Sequence, residues 1–254
     1  MSTKNGFTLA EVLITLGIIG VVAALTMPAL ISNYQQMVVK TQFKKAYAVL
    51  QNAWGLAESD GESYECYYWK DNPYGGHHCD TYDAQGECTH YIMDSGGELP
   101  ADVNGKFDDC GVQAERILAN LNIVQTCQNN AYSGGCIPDY EGLDTVVKAG
   151  GGTDYQATQR STGCTRWRKS NIRTMSSAHV LADGTIILGY GAFYPRAFAV
   201  DVNGKKGPNK WGHDLFSFAP KGNSPSKVSI AGGTCMQPEQ GGVTTAAMIE
   251  NMHK

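Results

Sequence analysis

Little in this sequence speaks for catalysis. No G-x-S-x-G elbow, P-loop, H-E-x-x-H pair or dinucleotide fingerprint occurs in it. The chemistries those arrangements carry therefore have no local support. Charge is also sparse. Charged residues make up 17% of the chain, and 20 Lys and Arg stand against 24 Asp and Glu for a net charge of −4. A protein that grips nucleic acid without regard to sequence carries a cationic excess instead. Glycine and tyrosine are plentiful, at 30 and 13 residues, a composition of strands and loops.

One long apolar run is present, at the N-terminus. A short polar leader ends at Gly6, and the run from Phe7 to Ile31 begins at once, interrupted by a single carboxylate, Glu11. A secretory signal peptide places its cleavage site after the apolar stretch. Here the cleavage point precedes it, and cutting there leaves the apolar segment on the mature chain. About 20 apolar residues in helical form cross a bilayer, so residues 7–31 read as a membrane anchor.

The residues GFTLAEVLITLGIIGVVAALTMPAL resemble the N-terminal segment of type IV prepilins and of the related pseudopilins of type II secretion. That resemblance implies cleavage after Gly6 by prepilin peptidase and methylation of the new amino group on Phe7. It makes Glu11 the fifth residue of the mature chain and puts Pro28 where pilin helices commonly carry a proline. The partners it implies are the peptidase, homologous pilin or pseudopilin subunits and an inner-membrane assembly platform. A carboxylate inside a bilayer costs around 2.5 to 3.5 kcal/mol on insertion scales and needs a partner. In the family that partner is the N-terminal amine of a neighbouring subunit, a pairing that sets axial register between subunits even where a buried ion pair adds no net stability.

All eight cysteines, Cys66, Cys79, Cys88, Cys110, Cys127, Cys136, Cys164 and Cys235, lie beyond the anchor. An even number there fits an exported, oxidised domain. Cys127 and Cys136 flank QNNAYSGG, whose Gly134 and Gly135 let the chain turn back, so a bridge is expected between them. Cys66, Cys79 and Cys88 are expected to staple their own loop. A zinc reading of His77, His78, Cys79, Cys88 and His90 competes, but the paired spacings of zinc sites are missing.

From Phe43 onward, Tyr47, Leu50 and Trp54 step by helical intervals, with Ala46, Ala53 and Ala57 alongside and Lys40, Lys44 and Lys45 largely off that face. One helix is expected over about residues 7–58, with Pro28 removing a backbone hydrogen bond and kinking or locally melting it. Residues 60–110 show no sustained period. Their aromatics Tyr64, Tyr67, Tyr68, Trp69, Tyr74, Tyr82 and Tyr91 read as a recognition surface or as filling beside disulfides. A helix is expected over 113–125 with Ile117, Leu118, Leu121 and Val124 buried. Two apolar runs around Asp183-Gly184 predict a type I′ hairpin, a third strand runs from Ala197 to Val200, and a short helix ends the chain. The fold class is α+β and pilin-like: a long N-terminal helix, half transmembrane and half amphipathic, packed on a C-terminal antiparallel sheet. Its expected divisions are a leader at 1–6, an assembly helix at 7–31 and a globular domain at 32–254.

Residues 201–218, DVNGKKGPNKWGHDLFSF, resemble the glycine-rich loop near the C-terminus of many prepilin-like proteins, including the calcium loop of major pseudopilins. Asp201, Asn203 and Asp214 are its calcium candidates, although no Glu falls at the twelfth position of an EF-hand loop. A metal-free reading is simpler: Asp201 and Asn203 make side-chain to backbone turns and Asp214 caps the next element. A second DVNGK at Asp102–Lys106 repeats the local chemistry. Within RSTGCTRWRKSNIR, the residues Arg166, Trp167, Arg168 and Lys169, flanked by Arg160 and Arg173, combine cations with an aromatic that could stack on a base. The overall negative charge argues against DNA uptake, and a solvated face or a contact with an acidic neighbouring subunit explains the cluster equally well.

Together these features predict a non-enzymatic subunit of a type IV pilus-like filament that requires no cofactor. It would be a single-pass inner-membrane protein with a periplasmic domain before assembly, and part of an extracellular filament or a periplasmic pseudopilus afterwards. The alternatives are a pseudopilin of a type II secretion system and an anchored adhesin or ligand-binding domain that never polymerises.

Overall fold

A computed structural model describes residues 8–59, 77–82, 88–93, 96–98, 108–158, 166–190, 198–220, 228–230 and 237–252. In chain order the helices and strands are α1 (Leu9–Ser59), β1 (His77–Tyr82), β2 (Cys88–Met93), α2 (Asp108–Ala119), β3 (Ile123–Cys127), α3 (Leu143–Ala149), α4 (Asp154–Thr158), α5 (Lys169–Thr174), β4 (Ser176–Leu181), β5 (Ile186–Tyr190), β6 (Phe198–Asp201), β7 (Leu215–Pro220), β8 (Val228–Ile230) and α6 (Thr245–Asn251). Backbone contacts divide the chain into two compact units, Met1–Thr41 and Gln42–Lys254.

From Leu9 onward the first unit is helical. Its stretch Leu9–Pro28 has a mean hydropathy of 2.3 and none of it is buried in the chain, which makes it long and apolar enough to cross a bilayer. Pro28 lies inside α1, which runs unbroken through it. The expected local melting is therefore absent: losing one N–H out of a ladder of 51 residues does not stop the helix. Threonines at 15, 26 and 41 return their hydroxyls to the carbonyls of residues 11, 22 and 37 at 2.9 Å, which satisfies these hydroxyls without water.

In the second unit six antiparallel strands succeed one another in the order β3-β4-β5-β6-β7-β8. Strand alternation gives the sheet two faces. On one face Phe43 of α1 meets the rings of Phe216 at 4.9 Å and Phe218 at 5.8 Å, and Trp54 stacks on Phe198 at 5.3 Å. Phe43, Ala46, Leu50, Ala53, Trp54 and Ala57 are buried and Tyr47 is half-buried along the stripe expected from their spacing, and each large buried side chain contributes roughly 1.5–3 kcal/mol by leaving water. On the opposite face Ala178, Ile186, Leu188, Ala199 and Leu215 share a core with Cys127, Tyr140, Leu143, Trp167, Ile172 and Trp211. The described residues of 128–158 and 166–174 thus cover the face that α1 leaves free.

Three local expectations need correction. The helix expected over 113–125 ends at Ala119, and Ile123–Cys127 instead adds to β4 as an edge strand; Val124 points outward and is 64% exposed. Pairing with β4 outweighs the helical spacing of these residues. The turn at Asp183-Gly184 is a three-residue loop, closed by Leu181 N–H to Thr185 O and Gly184 N–H to Leu181 O. Only Gly184 has a positive φ, as in a type I turn with a bulge after it, so the type I′ geometry is not adopted. The aperiodic region holds a two-stranded sheet of β1 and β2, with a further bridge from Ile92 to Glu98. β6 begins at Phe198, and Thr244 caps α6 through the amide of Ala247. Tyr64, Cys66, Tyr67, Tyr68, Trp69, Tyr74, Arg160 and the segment Asp102–Lys106 lie outside the described residues, as do the side chains of every cysteine except Cys127 and Cys136.

Candidate functional site

Gly6 and Phe7, the residues expected to flank the processing point, also lie outside the described residues. The site becomes visible one residue later. Thr8 precedes the first residue of α1 and Glu11 stands three positions on. The Glu11 carboxylate accepts the Thr8 backbone N–H at 2.8 Å and the Thr8 hydroxyl at 2.9 Å, while the Glu11 N–H donates to the same hydroxyl oxygen at 3.3 Å. This is a reciprocal capping box, which satisfies donors that a helix start leaves unpaired. Reasoning on Glu11 alone as an intramembrane charge missed Thr8. The signal was in the sequence nonetheless, since Thr-x-x-Glu ahead of an apolar run is the box's signature. The remaining face of Glu11 is exposed.

The expected bridge between Cys127 and Cys136 is present, with an S–S distance of 2.03 Å. Gly134 explains the tightness of the loop it closes, because a Cβ there would stand 2.9 Å from both the Cys127 sulfur and the Asn130 carbonyl. The loop tip, including Tyr132, is exposed.

Asp201, Asn203 and Asp214 come together in the turn between β6 and β7. Both carboxylates are fully buried. Asp201 accepts the Tyr140 hydroxyl at 2.9 Å and the Asn203 N–H at 3.2 Å. Asp214 accepts the N–H groups of Asn209 and Lys210 at 2.8 and 2.7 Å, and the Asn203 amide donates to the Gly207 carbonyl at 2.9 Å. These are side-chain to backbone bonds of the kind the turn reading expects. Two oxygens, Oδ1 of Asn203 and Oδ1 of Asn209, are buried without a hydrogen-bond partner. Burial, and after it the neighbouring Asp214 charge, pushes the Asp201 carboxyl up to about 8. Burial and the Asp201 carboxylate likewise hold the Tyr140 hydroxyl well above its ordinary value. Sequence reasoning missed Tyr140, which lies 61 residues from Asp201 and carries no local motif.

In the basic cluster the aromatic is withdrawn from the surface. Trp167 is completely buried and its ring lies 6.0 Å from that of Trp211, so it has no face to offer a base. Lys169 pairs with Glu141 at 2.7 Å, which raises its pKa. Arg173 forks onto both oxygens of Asp139 and lowers that carboxyl's pKa. Arg166 lies over the Tyr190 ring at 5.9 Å, and Arg168 precedes α5 as its N-cap. Lys169, Arg173 and Arg166 thus serve the fold's own acids and rings.

On the small sheet, His90 sits between Asp80 at 3.3 Å and Glu98 at 2.7 Å, and these carboxylates, Glu98 first, raise its pKa. Both ring nitrogens are thereby engaged. Among the described residues no three His, Cys, Asp or Glu side chains gather as a metal site requires. The side chains of His77, His78, Cys79 and Cys88 lie outside those residues.

Residues 1–27 match the family model described as the prokaryotic N-terminal methylation motif. No curated protein and no solved structure matches the chain. The matched segment is the cleavage and methylation segment of prepilins. It spans Gly6, Phe7, Thr8 and Glu11, and it overlaps nearly all of the apolar stretch of α1.

Proposed function

We propose that the chain is a structural subunit of a type IV pilus-like filament, cut after Gly6 by prepilin peptidase, methylated at Phe7 and assembled through the first half of α1. The methylation motif over residues 1–27 carries this reading. The fold supports it, because one helix supplies both an unburied apolar segment and the spine of a sheet domain. In the filament the apolar faces of neighbouring helices would bury one another, and Glu11, ordered by Thr8, would meet the amine of the next subunit's Phe7. That contact sets register, since an unpaired carboxylate in an apolar bundle is penalised at every other offset. The same contact serves a secretion pseudopilus, whose fibres stay short of the cell surface.

The test is Glu11→Val. The variant should enter the membrane at least as well as the parent, because a desolvation penalty is removed, yet yield few filaments in sheared surface fractions viewed by electron microscopy. Parent-level filament yield from Glu11→Val would refute assembly through this residue. Parent cells that process the chain and show no surface fibre would favour the pseudopilus.

A further inference from the structure

The connectivity of the sheet collects exposed lysines at one end of the domain. Strands alternate in direction, so the β4–β5 loop (182–184) and the β6–β7 turn (202–214) lie at the same end. Gly204 confirms their proximity: with φ +64, a Cβ on it would stand 2.2 Å from the Gly184 carbonyl. Helix α1 enters at that end as well, since Phe43 meets Phe216 near the start of β7, Lys45 pairs with Asp183 at 3.0 Å, and Trp54 reaches Phe198 at the far end of β6. Lys44, Lys45, Lys205, Lys206 and Lys210 are all exposed there. Among the described residues the acids beside them are few: Asp183 faces Lys45, Asp201 and Asp214 are fully buried, and Glu239 is half-buried and accepts the Trp211 N–H at 3.1 Å. Lys205 donates to the Gly135 carbonyl, which leaves Lys206 and Lys210 as the turn's outward cations. A chain of net charge −4 thus presents a cationic end where its apolar segment joins the domain.

We propose that this lysine-bearing end rests on the anionic headgroups of the membrane in which the subunit is anchored, holding the domain against the bilayer until the subunit is withdrawn into a fibre. The proposal rests on the membrane-anchor reading above. The tether permits it. Only residues 32–42 separate the apolar run from Phe43, and the field of an anionic surface extends about 10 Å from the headgroups at moderate salt.

The experiment uses the full chain in vesicles of phosphatidylcholine alone or with phosphatidylglycerol added, read by hydrogen exchange at the amides of residues 204–210 and by flotation after alkaline carbonate. With phosphatidylglycerol these amides should exchange more slowly, by about fivefold for each lysine engaged, and high salt should abolish the difference. Lys206→Glu with Lys210→Glu should lose the protection, and Lys206→Arg with Lys210→Arg should keep it. Equal exchange in the two lipids, or protection that survives charge reversal, would overturn the proposal. So would protection that depends on protein density instead of lipid charge, which would assign the lysines to an acidic neighbouring subunit. A chain that does not float overturns the anchor reading and this one with it; a chain that floats without lipid-dependent protection overturns this one alone.

Discussion

Asp201→Asn is the most searching perturbation of the domain. The parent carboxyl is fully buried beside Asp214 and its pKa is pushed up to about 8, whereas an aspartate in the unfolded chain titrates near 3.9. Between those values the folded state holds a proton that the unfolded state has released. Stability contributed by this group is therefore fully present below about pH 4 and is lost as pH rises toward 8, with a slope of about 1.4 kcal/mol per pH unit and a total on the order of 5 kcal/mol. Asparagine has no proton to lose and keeps an oxygen for the Tyr140 hydroxyl. Urea melts of the detergent-solubilised full chain from pH 5 to 8 should show the parent weakening steeply and Asp201→Asn staying nearly level, the two curves crossing as the pH rises. Parallel curves would refute the claim that Asp201 folds as a neutral acid. The same melts decide the metal question. A turn held by its own hydrogen bonds melts alike in chelator and in millimolar calcium, whereas a calcium site would stabilise the parent by about 2.7 kcal/mol at one hundred times Kd and Asp201→Asn would erase that increment.

Two further perturbations test the scaffold. Cys127 and Cys136 are nine residues apart, and opening a loop of that length in the denatured chain is worth about 2.6 kcal/mol; Cys127→Ala with Cys136→Ala should lower stability by roughly that amount, and an unchanged melting midpoint would count against the bridge as a structural tie. At Gly204 a methyl group would collide with the Gly184 carbonyl at 2.2 Å with φ at +64, so Gly204→Ala should destabilise by about 1–3 kcal/mol, while Gly55→Ala, where nothing lies within 4 Å on the exposed side of α1, should be neutral or slightly stabilising.

The long helix was legible because its signal is local and repeated: the apolar run, then the stripe Phe43, Tyr47, Leu50, Trp54. The Cys127–Cys136 bridge was legible from two glycines in a short loop. Where the outcome depended on residues far along the chain, the sequence misled. The spacing of Leu121 and Val124 looks helical, yet β4 was waiting some 55 residues later to pair with that stretch. Trp167, set among cations, looks like a stacking residue until Trp211 and the core behind the sheet claim its ring. Arg173 and Lys169 likewise find Asp139 and Glu141, acids about 30 positions upstream. Thr8 differs from these cases, since its capping role was written three residues from Glu11.

The most direct measurement is the mass and sequence of the N-terminus of the chain recovered from assembled fibres or, failing fibres, from membranes of cells that express prepilin peptidase. A pilin-like subunit begins there with N-methylated Phe7, and Gly6→Val accumulates uncut. Intact Met1 in assembled material would contradict the account at its base.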